Sequence, residues 1–306
     1  MGGDCIESQL VKISDLRKVP GIGKKTIERI KETIKRDHGD TYISKYNKKL
    51  HLGANQIYQG DCLELMNGIP DKSIDMILCD LPYGTTACSW DTIIPFDKLW
   101  RQYERVIKDN GAIVLFGSQP FTSNLIMSNM KLFKYCWTWY KSKTSNHLNS
   151  RIQPLRVVED IVVFYKQQCT YNPILRDREK KNIRDPKRAY GLGNNNTYGE
   201  TKKNYMFNSG REIPLEKGYP IDIINIAQMG SFGDKRLHPT QKPTELLEYL
   251  IKTYTNEGDL VLDNCIGSGT TAVAAINTNR NYIGIELDED YCKLAKNRVS
   301  EHISNL

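Results

Sequence analysis

No stretch of this sequence stays apolar over the roughly 18 to 20 residues that a membrane-spanning helix needs, so a helical bilayer span is excluded. The first residues, Met-Gly-Gly-Asp-Cys, lack the basic-then-apolar pattern of a secretory signal, and the expected location is the cytoplasm. Eight cysteines, at 5, 62, 79, 88, 136, 169, 265 and 292, form no Cys-x-x-Cys pair. Without that spacing the usual zinc and dithiol patterns fall away, and no metal site is expected. Most of these cysteines stand in apolar strand or helix contexts, so buried reduced thiols are expected rather than disulfides. There is no Gly-Lys-Ser/Thr phosphate loop and no Gly-x-Gly-x-x-Gly turn, which disfavours ATP and dinucleotide chemistry.

What is present is enough for one large domain with small appendages: 306 residues, 39% of them apolar. The net charge of +7 is unevenly spread. Lys and Arg outnumber Asp and Glu by 12 to 7 in residues 1–50 and by 14 to 8 in 166–236, while 51–165 balance at 11 each and 237–306 hold 6 against 10. A polyanion is therefore expected to be held by two basic appendages around a near-neutral core. Two solvated surfaces are the plainer alternative.

Asp80-Leu81-Pro82-Tyr83-Gly84 follows the apolar run Ser73–Cys79, so it sits where a buried strand gives way to a loop. Open α/β sheets place their chemistry at such ends. Proline fixes φ and lacks an N–H, and the glycine lets the backbone turn. The carboxylate and a backbone carbonyl can both accept hydrogen bonds from one exocyclic NH2, while Tyr83 offers a ring face. The group suits a flat amino-bearing ring; a strand end capped by a turn is the alternative. Far downstream, Asp259-Leu-Val-Leu-Asp263-Asn-Cys-Ile-Gly267-Ser268-Gly269-Thr270-Thr271 reads as a strand entering a Gly-Ser-Gly turn and then a small-residue helix. Backbone N–H groups and a helix N-terminus there face any ligand, which suits a nucleotide-like cofactor. The next strand, Asn281–Asp288, ends in Glu286, placed to accept hydrogen bonds from ribose hydroxyls.

These stretches resemble the DNA amino-methyltransferases. Asp80-Leu-Pro-Tyr83 is similar to the family's Asp-Pro-Pro-Tyr, with Leu81 for the first proline. Asp263–Thr271 is similar to its S-adenosylmethionine loop, with Asn264 and Cys265 replacing Pro and Phe. His238-Pro-Thr240-Gln-Lys242-Pro243 is similar to the motif that precedes this loop. The order of the motifs is that of the beta class, and the resemblance spans about residues 55–303. It implies a Rossmann-like α/β methyltransferase fold: a seven-stranded, mainly parallel sheet with one reversed strand and helices on both faces, in keeping with the alternating pattern of the chain. It further implies S-adenosylmethionine as cofactor, held by Asp61, His238, Thr240, Lys242, Asp263, Gly267, Ser268, Gly269, Thr270, Thr271 and Glu286, with Lys242 toward the methionine carboxylate. Asp80, Leu81, Pro82 and Tyr83 are the implied catalytic group. The implied substrate is double-stranded DNA, with a flipped adenine favoured over cytosine because Asp at the first motif position goes mainly with adenine in the family. A cognate restriction endonuclease is a candidate partner. No Pro-Cys nucleophile of 5-methylcytosine enzymes is present. Cytosine N4, an amino group in RNA or protein, and a non-catalytic DNA-binding subunit of the same fold stay open as alternatives, as does the oligomeric state.

Residues 10–36 read as a short helix, a Pro-Gly21-Ile-Gly23 turn and a second helix, with Lys24 and Lys25 beside the glycine N–H groups. Such a turn can bind a phosphate oxygen without reading a base, and it resembles the helix-hairpin-helix motif. Gly21, Gly23, Lys24 and Lys25 are the expected DNA contacts, in a helical segment 1–50 preceding a methyltransferase domain 51–306. Within that domain Phe96–Lys108 predicts a helix burying Leu99, Trp100, Tyr103, Val106 and Ile107. Residues 111–117, 135–140 and 160–165 predict strands, and Thr244–Thr255 and Tyr291–Ile303 predict helices. Val158 stands where the family often has His. Residues 167–236 break the apolar rhythm; Tyr and Asn among basic residues predict a DNA-facing target-recognition insertion, with a disordered linker as the alternative.

Overall fold

Unbroken runs of branched apolar residues, rather than alternating ones, mark strands covered on both faces, and such runs make the centre of this molecule. The computed structural model describes residues 52–84, 91–145, 147–178, 214, 216–228 and 241–306. All belong to the unit His51–Leu306. The expected DNA contacts Gly21, Gly23, Lys24 and Lys25, the residues His238 and Thr240, and most of 167–236 lie outside the described residues.

In chain order the elements are β1 (Gln56–Gln59), α1 (Cys62–Leu65), β2 (Ile74–Cys79), α2 (Phe96–Val106), β3 (Ile107–Gly117), α3 (Phe121–Ser128), β4 (Phe133–Ser145) and β5 (Arg156–Phe164). There follow β6 (Arg176–Asp177), β7 (Lys217–Gly218), β8 (Ile223–Asn225), α4 (Thr244–Tyr254), β9 (Leu260–Asp263), α5 (Thr270–Asn277), β10 (Asn281–Glu286) and α6 (Glu289–Ser304). No described helix is long and apolar enough to cross a membrane.

One sheet runs β1-β10-β9-β2-β3-β5-β4-β8. Its first five strands are parallel, and β5 alone is reversed, antiparallel to both β3 and β4. This is the mainly parallel sheet with one reversed strand that was expected, but it has eight strands and not seven. The extra strand, β8, pairs with β4 at the edge and comes from inside the block 167–236. Only Ile224 of its three residues is buried, so no periodicity could announce it. The other end of the block is also tied to the core. Asn172 donates its backbone N–H to Thr253 O at 2.8 Å and its side-chain amide to Thr255 O at 2.9 Å, at the end of α4. A small ribbon, β6 with β7, brings the two flanks together.

Along β2 successive side chains enter opposite layers, as a strand's period of two requires. Met76 and Leu78 pack under α4, α5 and α6 with Leu246, Leu250, Ala272 and Val299. Ile77 and Cys79 pack under α2 with Leu99 and Tyr103, and α3 adds Leu125 to that layer. In α2 Leu99, Trp100, Tyr103 and Val106 share the buried stripe, as predicted; Ile107, predicted in the same helix, is buried instead as the first residue of β3. Each fully buried side chain of this size contributes about 1.5–3 kcal/mol. The two layers hold four neighbouring parallel strands, β1, β10, β9 and β2, with their C-terminal ends at one edge.

Candidate active site

Each of those four strand ends delivers an acidic residue: Asp61 just after β1, Glu286 at the end of β10, Asp263 at the end of β9 and Asp80 just after β2. All four line one cavity of about 810 Å³, together with Pro82, Tyr83, Lys242, Gly267, Ser268, Thr270 and Thr271. The sequence-predicted residues that fall among the described ones are therefore brought to one place, with two qualifications of role. Leu81 buries its side chain against the α2 layer, which leaves its backbone to serve the site. Gly269 does not line the cavity: its φ is +80°, and a Cβ there would stand 3.1 Å from Ala295 Cβ of α6. Glycine is thus needed at 269 for the turn and for helix packing. At Gly267, φ is +52° and nothing lies within 4 Å of where a Cβ would be, so that position opens to the cavity.

Asp80 is the best-tethered group. Tyr83 donates its hydroxyl to Asp80 Oδ1 at 2.7 Å, and Lys242 donates Nζ to Oδ2 at 2.5 Å. The expected place of Lys242 was the cofactor's carboxylate. Its ammonium instead lies between two carboxylates, with Glu159 Oε2 at 3.4 Å on the other side, and over the Phe116 ring at 5.0 Å. Glu159 also takes Lys141 Nζ at 3.0 Å on Oε1. Burial alone would lower the Lys242 pKa, but Asp80 and Glu159 outweigh it and hold the ammonium above its ordinary value. Burial likewise opposes ionisation of Glu159, and Lys242 and Lys141 together overcome it, leaving that carboxyl below its usual range. Burial, followed by the Asp80 charge, pushes the Tyr83 hydroxyl up, so it stays a donor. The Tyr83 ring is stacked on Phe121, centroids 4.8 Å apart. Gly84, with φ +66°, donates its N–H to Asp91 and turns the chain away.

The glycine loop is pinned from beneath. Asp263 accepts from Cys265 N at 3.1 Å and from Thr271 Oγ1 at 2.5 Å, and burial pushes its pKa up to about 7. Asn264, where the family has proline, accepts the Tyr103 hydroxyl at 2.5 Å. Glu286 accepts from Gly267 N at 2.8 Å and Asp288 N at 2.9 Å, and burial raises its pKa. Asp61 caps α1, its Oδ1 accepting from Leu63 N at 2.7 Å and Glu64 N at 3.1 Å. Such a cap is worth about 1 kcal/mol. Of the thiols, Cys79 is fully buried beneath the site and its pKa is pushed up to about 12 by burial, so it supplies no nucleophile.

Three residues of the site were not singled out from sequence. Lys141 lies two residues beyond Trp139 and four beyond Trp137, on the face that both tryptophans bury, so the strand's period of two points it inward. Glu159 is the fourth residue of β5, ahead of Asp160 and the apolar run Ile161–Phe164. Arg298 of α6 donates Nη1 to Ser268 O at 3.0 Å and to Thr270 Oγ1 at 2.9 Å, holding the loop from behind; its place on an amphipathic helix carried no signal.

A family profile, N6_N4_Mtase, described as DNA methylase, matches residues 74–297. The Type II methyltransferase M1.MboII of Moraxella bovis is 25% identical over 269 residues, covering 80% of this chain and 96% of its own. The DNA adenine methyltransferase YhdJ of Escherichia coli K12 is 28% identical over 271 residues, covering 82% and 85%. Among solved structures, M1.HpyAVI in its SAM complex superposes with a TM-score of 0.52 at 24% identity, over 79% of this chain and 98% of that one. The cytosine-N4-specific PvuII DNA methyltransferase gives 0.55 at 15% identity, over 84% and 94%. At these identities the solved structures speak to the fold.

Proposed function

The chain belongs to the N6/N4 DNA methylase family, and from that premise we propose that it transfers a methyl group to the N6 amino group of adenine in duplex DNA. The cofactor is S-adenosylmethionine. The cavity fits it: Gly267 leaves open space beside the loop, and Glu286 and Asp61 stand at neighbouring strand ends where ribose and base hydrogen bonds are accepted. When bound, it supplies an activated methyl, so the protein needs no covalent intermediate of its own.

The observation that carries the reading is the Asp80 carboxylate, fixed between the Tyr83 hydroxyl and the Lys242 ammonium at the mouth of the β2 strand. A carboxylate oxygen has room for more than one donor, so Asp80 can still accept a hydrogen bond from an amino group, with a backbone carbonyl of Leu81 or Pro82 accepting the other. Two acceptors in fixed positions orient the amine and direct its lone pair away from them. Tyr83 offers the ring face against which an extruded base stacks, and extrusion costs a few kcal/mol.

Adenine is preferred because Asp, rather than Ser, occupies the first motif position, and the name of the Escherichia coli relative agrees with that choice. Cytosine N4 is the second reading, favoured by the superposition on the PvuII enzyme. In this reading Gly21, Gly23, Lys24 and Lys25 hold phosphates without specifying sequence, and residues within 167–236 read the neighbouring bases. Removing residues 1–40 then weakens binding to all DNA alike, flattens its salt dependence and leaves the methylated site unchanged. A restriction endonuclease that cuts the same site is the natural partner of such a modification.

Long-read sequencing of DNA from cells expressing the protein tests the reading as a whole. Methylated adenine at one recurrent sequence is the expected result; methylated cytosine there transfers the assignment to N4, and unmodified DNA refutes it.

A further inference from the structure

Residues 51–165 are neutral as a block, which conceals a split inside it. Residues 111–158 contain six Lys or Arg and no Asp or Glu, and the next acid, Glu159, is buried against Lys141 and Lys242. The outermost part of this acid-free stretch is the turn that joins β4 to β5. The ladder between the two strands ends at Ser145 opposite Arg156, and both residues stand at the rim of the cavity, with Val158 beside them. Beyond that point the chain presents Leu148, 101% exposed, and Ile152, 81% exposed, with His147 and Arg151 also on the surface.

A single exposed apolar side chain needs no explanation. Two almost wholly exposed branched ones, on a cationic turn at the mouth of a cavity that fits a flat base, form a different arrangement. The turn is also ordered by its own backbone: Ser150 N–H donates to His147 O at 3.2 Å, and Ile152 and Gln153 N–H both donate to Asn149 O at 3.0 Å. The His147 ring bonds Thr144 O at 3.0 Å, and Arg156 Nη1 donates to Ser118 Oγ at 3.1 Å. Apolar groups held out in advance lose little freedom when they are used.

Resting on the DNA methyl-transfer reading, we propose that this turn is a wedge into the duplex: Leu148 and Ile152 enter the base stack beside the target nucleotide, and Arg151 and Arg156 take the flanking phosphates. Apolar side chains that push between base steps unstack them at a cost of free energy, and the cavity next to the turn receives the extruded base. The phosphate partners supply charge complementarity along a stretch of chain, 111–158, that itself carries no carboxylate.

The test compares the Leu148→Ala/Ile152→Ala double variant with the parent on two duplexes that carry the protein's own mapped methylation site. One duplex is fully paired, and the other has the target base mispaired, so that extrusion is already easy. Because both side chains lie in solvent, melting temperature and S-adenosylmethionine binding stay at parent values. The expected result is a fall in kcat/KM of about tenfold or more on the paired duplex and of about threefold or less on the mispaired one. Equal falls on the two duplexes, or none on the paired one, overturn the wedge. The comparison holds whichever base is methylated, so a methylcytosine product in the parent corrects the base without touching the wedge. In parallel, Arg151→Gln should make the salt dependence of DNA binding shallower; an unchanged slope removes that residue from the phosphate contacts.

Discussion

Asp80 and Asp263 end neighbouring parallel strands and face the same cavity, yet their settings are opposite. Asp80 has an ammonium at 2.5 Å and a tyrosine hydroxyl at 2.7 Å, and it stands at the mouth of a loop. Asp263 has no cation paired with it among the described residues; it is 5% exposed, and its partners are a threonine hydroxyl, one backbone N–H and the Cys79 thiol. Lys242 balances the charge at the first position, so Asp80 is kept as an acceptor for something that arrives. The second position keeps its carboxyl near the point of neutralisation, about pH 7, where it serves as a pin for the glycine loop. On the proposed function, the two acids at one sheet edge divide into one that meets the substrate and one that holds the shape of the glycine loop, and the buried lysine beside Asp80 is what distinguishes their settings.

The largest effect expected from breaking this division is at Asp80. Asp80→Ala should lower turnover by about a hundredfold or more while S-adenosylmethionine still binds. Equal turnover in variant and parent would refute the assignment. Lys242→Met follows. It leaves Asp80 with only the Tyr83 hydroxyl and Glu159 with only Lys141, and breaking a fully buried pair, the upper bound here, costs about 3–5 kcal/mol. A fall in melting temperature is expected, together with a fall in kcat that Lys242→Arg restores only in part, because a planar guanidinium cannot sit between the two carboxylates as a compact ammonium does. Adding Glu159→Gln to Lys242→Met should recover stability, since it removes one of the two stranded charges; no recovery in a denaturant titration would show that Glu159 is satisfied without Lys242.

The two loop glycines sharpen the other side of the comparison. Gly269→Ala combines an unfavourable φ with contact against Ala295, and a loss of about 1–3 kcal/mol is expected. Gly267→Ala shares the strain of a positive φ, +52°, but meets no neighbour, so its methyl enters the cavity. Unfolding curves and calorimetric S-adenosylmethionine titrations should therefore separate the pair, with the larger loss of stability at 269 and the loss of affinity at 267.

The smallest effect is a pH dependence. The Asp263 pKa is raised above its unfolded value of about 3.9, so its contribution to stability is fully present below that value and is lost as pH rises through about 7. Asp263→Asn removes that dependence. Unfolding free energies measured from pH 5 to 8 should fall more steeply with pH in the parent than in the variant; parallel curves would mean that Asp263 stays ionised throughout.

Much of this was legible in the sequence because the signals are local. Asp80–Gly84 lies directly after its strand, and Gly267–Thr271 directly after another, so a strand end, a turn residue and a helix start could be read within a dozen positions. The mainly parallel order with one reversed strand was what the family resemblance implied, and the alternation of strands and helices agreed with it. The eighth strand was hidden because it rests on a single buried isoleucine, Ile224. The neutral charge count of 51–165 hid the acid-free stretch 111–158, since an average over a segment says nothing about how its charges are spread within it.

By itself the sequence determined which strand ends carry acids and where the backbone turns on glycine. Only the tertiary structure decided what Lys242 does. It is 162 residues from Asp80 along the chain, and it meets Asp80 and Glu159 because β5 runs backwards beside β3 while the entrance to α4 folds over the same edge. Pairing across that distance is set by the packing of two apolar layers onto the sheet, a property of the whole core that no short window of residues contains.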